Sequence, residues 1–115
     1  MTITCFIEYQ LNPAQLEQFE QYASNWANII PRCGGELIGY FMPHEGSNNI
    51  AYGLISFNSL ADYEVYRQRL RQNPESKSNF DFAQQQQFIL QEKRSFLRVI
   101  DNTYIRPANQ EVQPC

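Results

Sequence analysis

The chain holds one histidine, His44, the side chain whose ordinary pKa lies nearest neutrality and so the first candidate to move a proton. It sits in a turn-rich stretch, Pro43-His44-Glu45-Gly46-Ser47-Asn48, where an exposed loop histidine is the competing reading. Glu8 and Arg98 form a second candidate. They lie on the first and last predicted strands, and a charged pair across those strands inside an apolar cavity would orient a polar substrate or a water. The same pair would serve as a structural bridge at an interface. Tyr40 and Tyr52, on neighbouring predicted strands beside the turn, suit stacking on a planar ligand or packing in an interface. In the enzymatic scheme these residues allow, His44 shuttles a proton and Arg98 holds an anionic group of the substrate. Trp26 falls on a helical core stripe and Cys5 on a buried strand face, so both read as core.

Other chemistries lack their residues. No nucleophile–base set, phosphate loop or metal-ligand spacing occurs. Cys5, Cys33 and Cys115 are scattered and odd in number, forming neither a C-x-x-C pair nor a Cys/His set, so no metal and no cofactor are expected. A net charge of −3 and a pI near 5.0 argue against nucleic acid as a partner. Arg67, Arg69 and Arg71 form the one basic cluster, and their spacing of two puts them on different helix faces, a solvated surface. Apolar runs fall well short of the ~20 residues of a membrane span. The opening MTITCFIEYQ shows no basic-then-apolar leader, which makes a reducing cytoplasm the expected compartment.

The elements that must position these groups follow from periodicity and caps. At 115 residues the chain has room for one core, a domain over 1–103 followed by a tail or arm over 104–115. Residues 2–11 alternate, with Ile3, Cys5, Ile7 and Tyr9 on one side and Thr4, Phe6, Glu8 and Gln10 on the other, a strand. Asn12-Pro13-Ala14-Gln15 opens a helix, and Leu16, Phe19, Ala23, Trp26 and Ile30 make its stripe until Pro31 and Gly34-Gly35 end it. Strands are predicted over 36–42 and 49–57. Ser59-Leu60-Ala61-Asp62 caps a helix with Tyr63, Tyr66 and Leu70 inward, stopped at Asn73-Pro74. A weaker helix spans 75–92, with Phe80, Ala83, Phe88 and Ile89 inward, and a last strand runs over 94–101.

The order β-α-β-β-α-β implies an α+β ferredoxin-like fold, a four-stranded antiparallel sheet with helices on one face. The uncovered face then carries Phe6, Tyr52 or Leu54, Phe96 and Ile100. Burying about 500 Å² of it against a second copy would contribute about 12 kcal/mol before association costs, so a homodimer closing an α/β barrel through its sheets is expected.

These residues resemble the NIPSNAP family within the dimeric α/β-barrel group. The likeness covers roughly residues 3–101. It is most specific in Gly35-x-Leu37-Ile38-Gly39-Tyr40-Phe41, Gly46-x-Asn48 and Tyr52-x-Leu54-Ile55-x-Phe57 with Ser59-Leu60, and Arg67 and Asn73-Pro74 also fit. The resemblance implies a ferredoxin-like dimeric barrel and leaves the activity open. Its wider group includes cofactor-independent monooxygenases, isomerases, haem-modifying enzymes and small-ligand sensors. The leading expectation is a small organic molecule bound or processed near the barrel mouth by Glu8, Tyr40, His44, Tyr52 and Arg98. A non-catalytic adaptor module and a cofactor-independent monooxygenase-like enzyme are the alternatives.

Overall fold

The computed structural model describes residues 2–104; the tail expected beyond that point lies outside the described residues. The order is β1 (Ile3–Leu11), a short 3-10 turn (Pro13–Gln15), α1 (Leu16–Cys33), β2 (Glu36–Phe41), β3 (Ile50–Phe57), α2 (Leu60–Gln72), α3 (Pro74–Gln86) and β4 (Ile89–Arg98). The four strands form one antiparallel sheet in the order β2-β3-β1-β4, the ferredoxin-like arrangement.

Local signals set most boundaries. The Asn12 side chain accepts from the Ala14 amide, with Pro13 beside it at the first helical position. The Ser59 hydroxyl accepts from the Asp62 amide to open α2, and Asn73 ends α2 and opens α3 by accepting from the Ser76 amide. Of the expected stop at Pro31 and Gly34-Gly35, the glycine end is the one that terminates α1. Pro31 stands inside the last turn, and the helix runs on to Cys33 and ends at Gly34, whose φ of 103° only glycine adopts freely.

The alternation of β1 holds: Cys5, Ile7, Tyr9 and Leu11 are buried beneath the helices, with Phe19, Tyr22, Trp26, Ile29 and Ile30 of α1 above them. β3 follows suit with Ala51, Ile55 and Phe57 inward. Tyr66 and Leu70 complete the core from α2.

The last third corrects the sequence reading. The predicted helix over 75–92 ends at Gln86, and β4 begins at Ile89, five residues before the predicted start. Register then fixes its faces, because directly paired residues in an antiparallel ladder share a face. Ile7 pairs with Arg94, Cys5 with Phe96 and Ile3 with Arg98, so those three point to the helix side; Lys93 stands opposite Glu8, and Leu97 opposite Thr4. Phe96 therefore packs edge-on against Tyr63 and does not belong to the uncovered face, where Leu97 lies instead. The uncovered face carries Phe6 stacked on Tyr52 at 5.4 Å, with Leu54, Phe41 and Leu97, and a buried Thr4–Ser56 hydroxyl pair at 2.8 Å.

Candidate functional site: a cleft between sheet and helices

α3 leans mainly on α1 and α2, and its buried face is polar: Asn79 Nδ2 donates to the Tyr22 carbonyl at 3.0 Å, and Asn25 Nδ2 donates to Asn79 Oδ1 at 2.9 Å. With α3 held there, a cleft of about 700 Å³ opens between sheet and helices, and Tyr63 of α2 reaches across to Phe96 and Arg94 of β4. A cavity of this size falls in the range that takes small organic molecules.

The floor comes from the sheet: Cys5, Ile7 and Tyr9 of β1, Tyr40 of β2 and Ile55 of β3. Tyr22 and Trp26 of α1 and Tyr66 and Leu70 of α2 form the wall. Tyr22 and Trp26 meet edge to face at 5.6 Å, and Trp26 meets Phe80 of α3 at 4.9 Å. Tyr40 can lie against the floor because the residue across from it is Gly53; a side chain there would meet the Tyr40 ring. The phenols are set in an apolar environment that disfavours their ionised form. Burial pushes Tyr9, Tyr40 and Tyr66 well up, and Tyr22 up to about 12 although the Trp26 indole N–H opposes the shift.

Charge is confined to the mouth. Arg94 Nη1 donates to the Tyr63 hydroxyl at 3.0 Å, Arg67 Nη1 donates to the same oxygen at 3.3 Å, and Arg94 Nη2 pairs with Glu92 Oε2 at 3.0 Å. Burial works against the charge on Arg94, but the Glu92 carboxylate and the Tyr63 hydroxyl overcome it and hold the guanidinium protonated. Gln84, Gln87 and Leu90 complete the rim.

Of the five residues singled out in the sequence, Tyr40 lines this cleft. Tyr52 is on the opposite face of the sheet, paired with Glu8 and Phe41, so Tyr40 and Tyr52 do not share a pocket. The Glu8–Arg98 pair does not form, because Arg98 stands opposite Ile3 on the helix side while Glu8 faces Lys93 on the other. His44 is exposed in the β2–β3 loop, away from the cleft lining. Sequence reasoning missed Arg67, Glu92 and Arg94. A usable signal for Arg67 was its spacing of four from Tyr63, which puts both on one helix face. Trp26 and Cys5 are buried as read from the sequence, and both also line the cleft.

The NIPSNAP family model matches residues 4–102, and the chain belongs to that family. No curated protein matches it. Among solved structures, the chain is similar to a NIPSNAP-like domain protein from Burkholderia xenovorans (24% identity, 92% of this chain and 91% of that one, TM-score 0.74). It is also similar to a NIPSNAP family protein from Agrobacterium tumefaciens (18% identity, 92% and 100% covered, TM-score 0.78). A putative antibiotic biosynthesis monooxygenase from Nitrosomonas europaea shares the fold at 8% identity, over 90% and 94% of the two chains with a TM-score of 0.68. At these identities the likeness shows a common fold and carries no activity across.

Proposed function

We propose that this chain binds a small organic molecule with a ring-containing body in the cleft between its sheet and helices. The observation that carries the reading is the cleft's construction: about 700 Å³ floored and walled by aromatic and aliphatic side chains, with tyrosine hydroxyls, Gln84, Gln87, Arg67, Glu92 and Arg94 also on its lining. Aromatic and aliphatic walls that also carry hydroxyl, amide and charged groups suit a small organic molecule with polar substituents. The NIPSNAP match supports a domain of this fold and leaves the ligand to the residues of the cleft.

Binding is favoured over catalysis by the state of the charged groups. Among the described residues Glu92 is the carboxylate that lines the cleft, and it is tied to Arg94 at 3.0 Å, which suits holding charge more than abstracting a proton. Monooxygenase-like processing is the second reading, supported by the fold shared with putative antibiotic biosynthesis monooxygenases. In that reading His44 would act only if the β2–β3 loop reached the ligand.

The same reading includes a homodimer joined through the uncovered sheet face. Phe41 and Leu97 are about half exposed there, beside Phe6, Tyr52 and Leu54, and Glu8 opposite Lys93 would supply charge within the seam. The buried thiols of Cys5 and Cys33 suit a reducing compartment such as the cytoplasm.

A thermal-shift titration with aromatic metabolites tests the binding reading. Saturable stabilisation is expected, reaching about 2.7 kcal/mol at a ligand concentration one hundred times Kd. A flat melting temperature across a broad panel of ring compounds would overturn it.

A further inference from the structure

We infer that the ligand of this cleft carries an anionic group, a carboxylate or similar oxyanion, received at the mouth by Arg67, Arg94 and the Tyr63 hydroxyl. The inference rests on the cleft being the binding site and adds what the ligand must present.

Two guanidinium groups converge on one phenol oxygen, Arg94 Nη1 at 3.0 Å and Arg67 Nη1 at 3.3 Å. Bringing like charges together at the rim of an apolar cavity is unfavourable unless negative charge compensates both. Glu92 compensates Arg94 alone; among the described residues Arg67 has no carboxylate within ion-pair distance. The chain does not lack acids, with twelve Asp and Glu against nine Lys and Arg. Yet among the described residues the cleft lining holds two cations and one anion, the reverse of the whole-chain balance.

The geometry suits an oxyanion. A guanidinium presents five N–H donors in a planar fork that matches carboxylate oxygens, and Arg67 spends one of them on Tyr63. The Tyr63 oxygen accepts from both arginines, which leaves its own O–H as a donor. Both arginines are held in place. Arg67 sits one helical turn after Tyr63 on α2, and Arg94 is fixed on β4 by its pairing with Ile7. An anion seated here would leave the body of the ligand over Tyr66, Trp26 and Tyr40, deeper in the cleft.

A matched pair of probes tests this: 1-anilinonaphthalene-8-sulfonate and N-phenyl-1-naphthylamine, which share a ring body and differ by the sulfonate. Binding to the full chain is read by energy transfer from Trp26, the one tryptophan, which lines the cleft. The sulfonate should bind about tenfold or more tighter than the neutral amine, in keeping with charge-assisted hydrogen bonds. Arg67→Met and Arg94→Met should each weaken the sulfonate by about tenfold and leave the amine unchanged. Glu92→Gln should tighten the sulfonate by freeing Arg94. Should Arg94→Met fail to fold, Arg67→Met on the helix surface decides alone. Equal binding of the two probes, insensitive to both arginines, would overturn the anion inference and leave the cleft reading intact. Binding of neither probe to folded protein would overturn the cleft reading and this inference with it.

Discussion

Gly53 and Tyr40 face one another across β2 and β3, so closely that a methyl group on Gly53 would stand 2.7 Å from Tyr40 Cε1. The absent side chain lets the Tyr40 ring lie flat along the sheet, where it forms part of the cleft floor and meets Tyr9 at 6.1 Å. A backbone choice on one strand therefore sets the shape of the cavity from the next.

Gly53→Ala should push that ring upward. The added methyl has no free space, so destabilisation of about 1–3 kcal/mol is expected, the range for overpacked interiors. Chemical denaturation measures it. A tilted Tyr40 would also narrow the cleft, so weaker probe binding should accompany the loss; full stability and full binding together would contradict this packing.

Alkali should unfold the protein through its phenols. An unfolded tyrosine ionises near pH 10.0, and burial holds Tyr22 neutral to about 12, with Tyr9, Tyr40 and Tyr66 also raised. A folded pKa above the unfolded one gives stability that is fully present below pH 10 and is lost as pH climbs through about 12. Tyrosinate absorbance should therefore rise in two stages, the buried class appearing together with loss of helical circular dichroism. One smooth step near pH 10 for all seven tyrosines would contradict the burial described here.

Asn79 should hold α3 in place. Its amide bonds both the Tyr22 carbonyl and Asn25 from a position only 3% exposed. Asn79→Ala removes both bonds and should cost about 1–3 kcal/mol. Hydrogen exchange should quicken across α3 while the centre of α1 stays protected. Uniform acceleration of every element would show instead that α3 is not a separately fastened unit.

The uncovered sheet face makes its own prediction. Sedimentation at micromolar concentration should find a dimer, and Leu54→Lys, placing a charge beside Phe6 on that face, should give a folded monomer. A wild-type protein that sediments as one chain would remove the barrel from the account without touching the cleft, which is built within a single chain.

Much of the frame was legible because its signals are local. The alternation of β1, the caps at Asn12 and Ser59 and the stop at Asn73-Pro74 each rest on a few neighbouring residues, and each is found in place. β4 was harder. It is an edge strand whose helix side lines a cleft, so Glu92 and Arg94 stand where a covered strand would show aliphatic residues. With no period-two apolar pattern in 90–95, the sequence reads as helix as far as Glu92 and as strand only from Arg94. Phe96 and Arg98 were then assigned to the wrong face, and the Glu8–Arg98 pair fell with that register. Arg67 was missed for a different reason. The second guanidinium, Arg94, is twenty-seven residues away, and only the return of β4 beside β1 brings it to the Tyr63 hydroxyl that Arg67 already reaches along its own helix.

The two faces of the sheet offer the most direct test of where a ligand sits. Methyl and amide resonances should be followed by nuclear magnetic resonance while a ring-bearing carboxylate that stabilises the protein is titrated in. The account predicts saturable shifts at Ile7, Ile55 and Leu70, which line the cleft, with Leu54 and Leu97 on the opposite face unmoved. Shifts centred on Leu54 and Leu97, with Ile7, Ile55 and Leu70 silent, would contradict it.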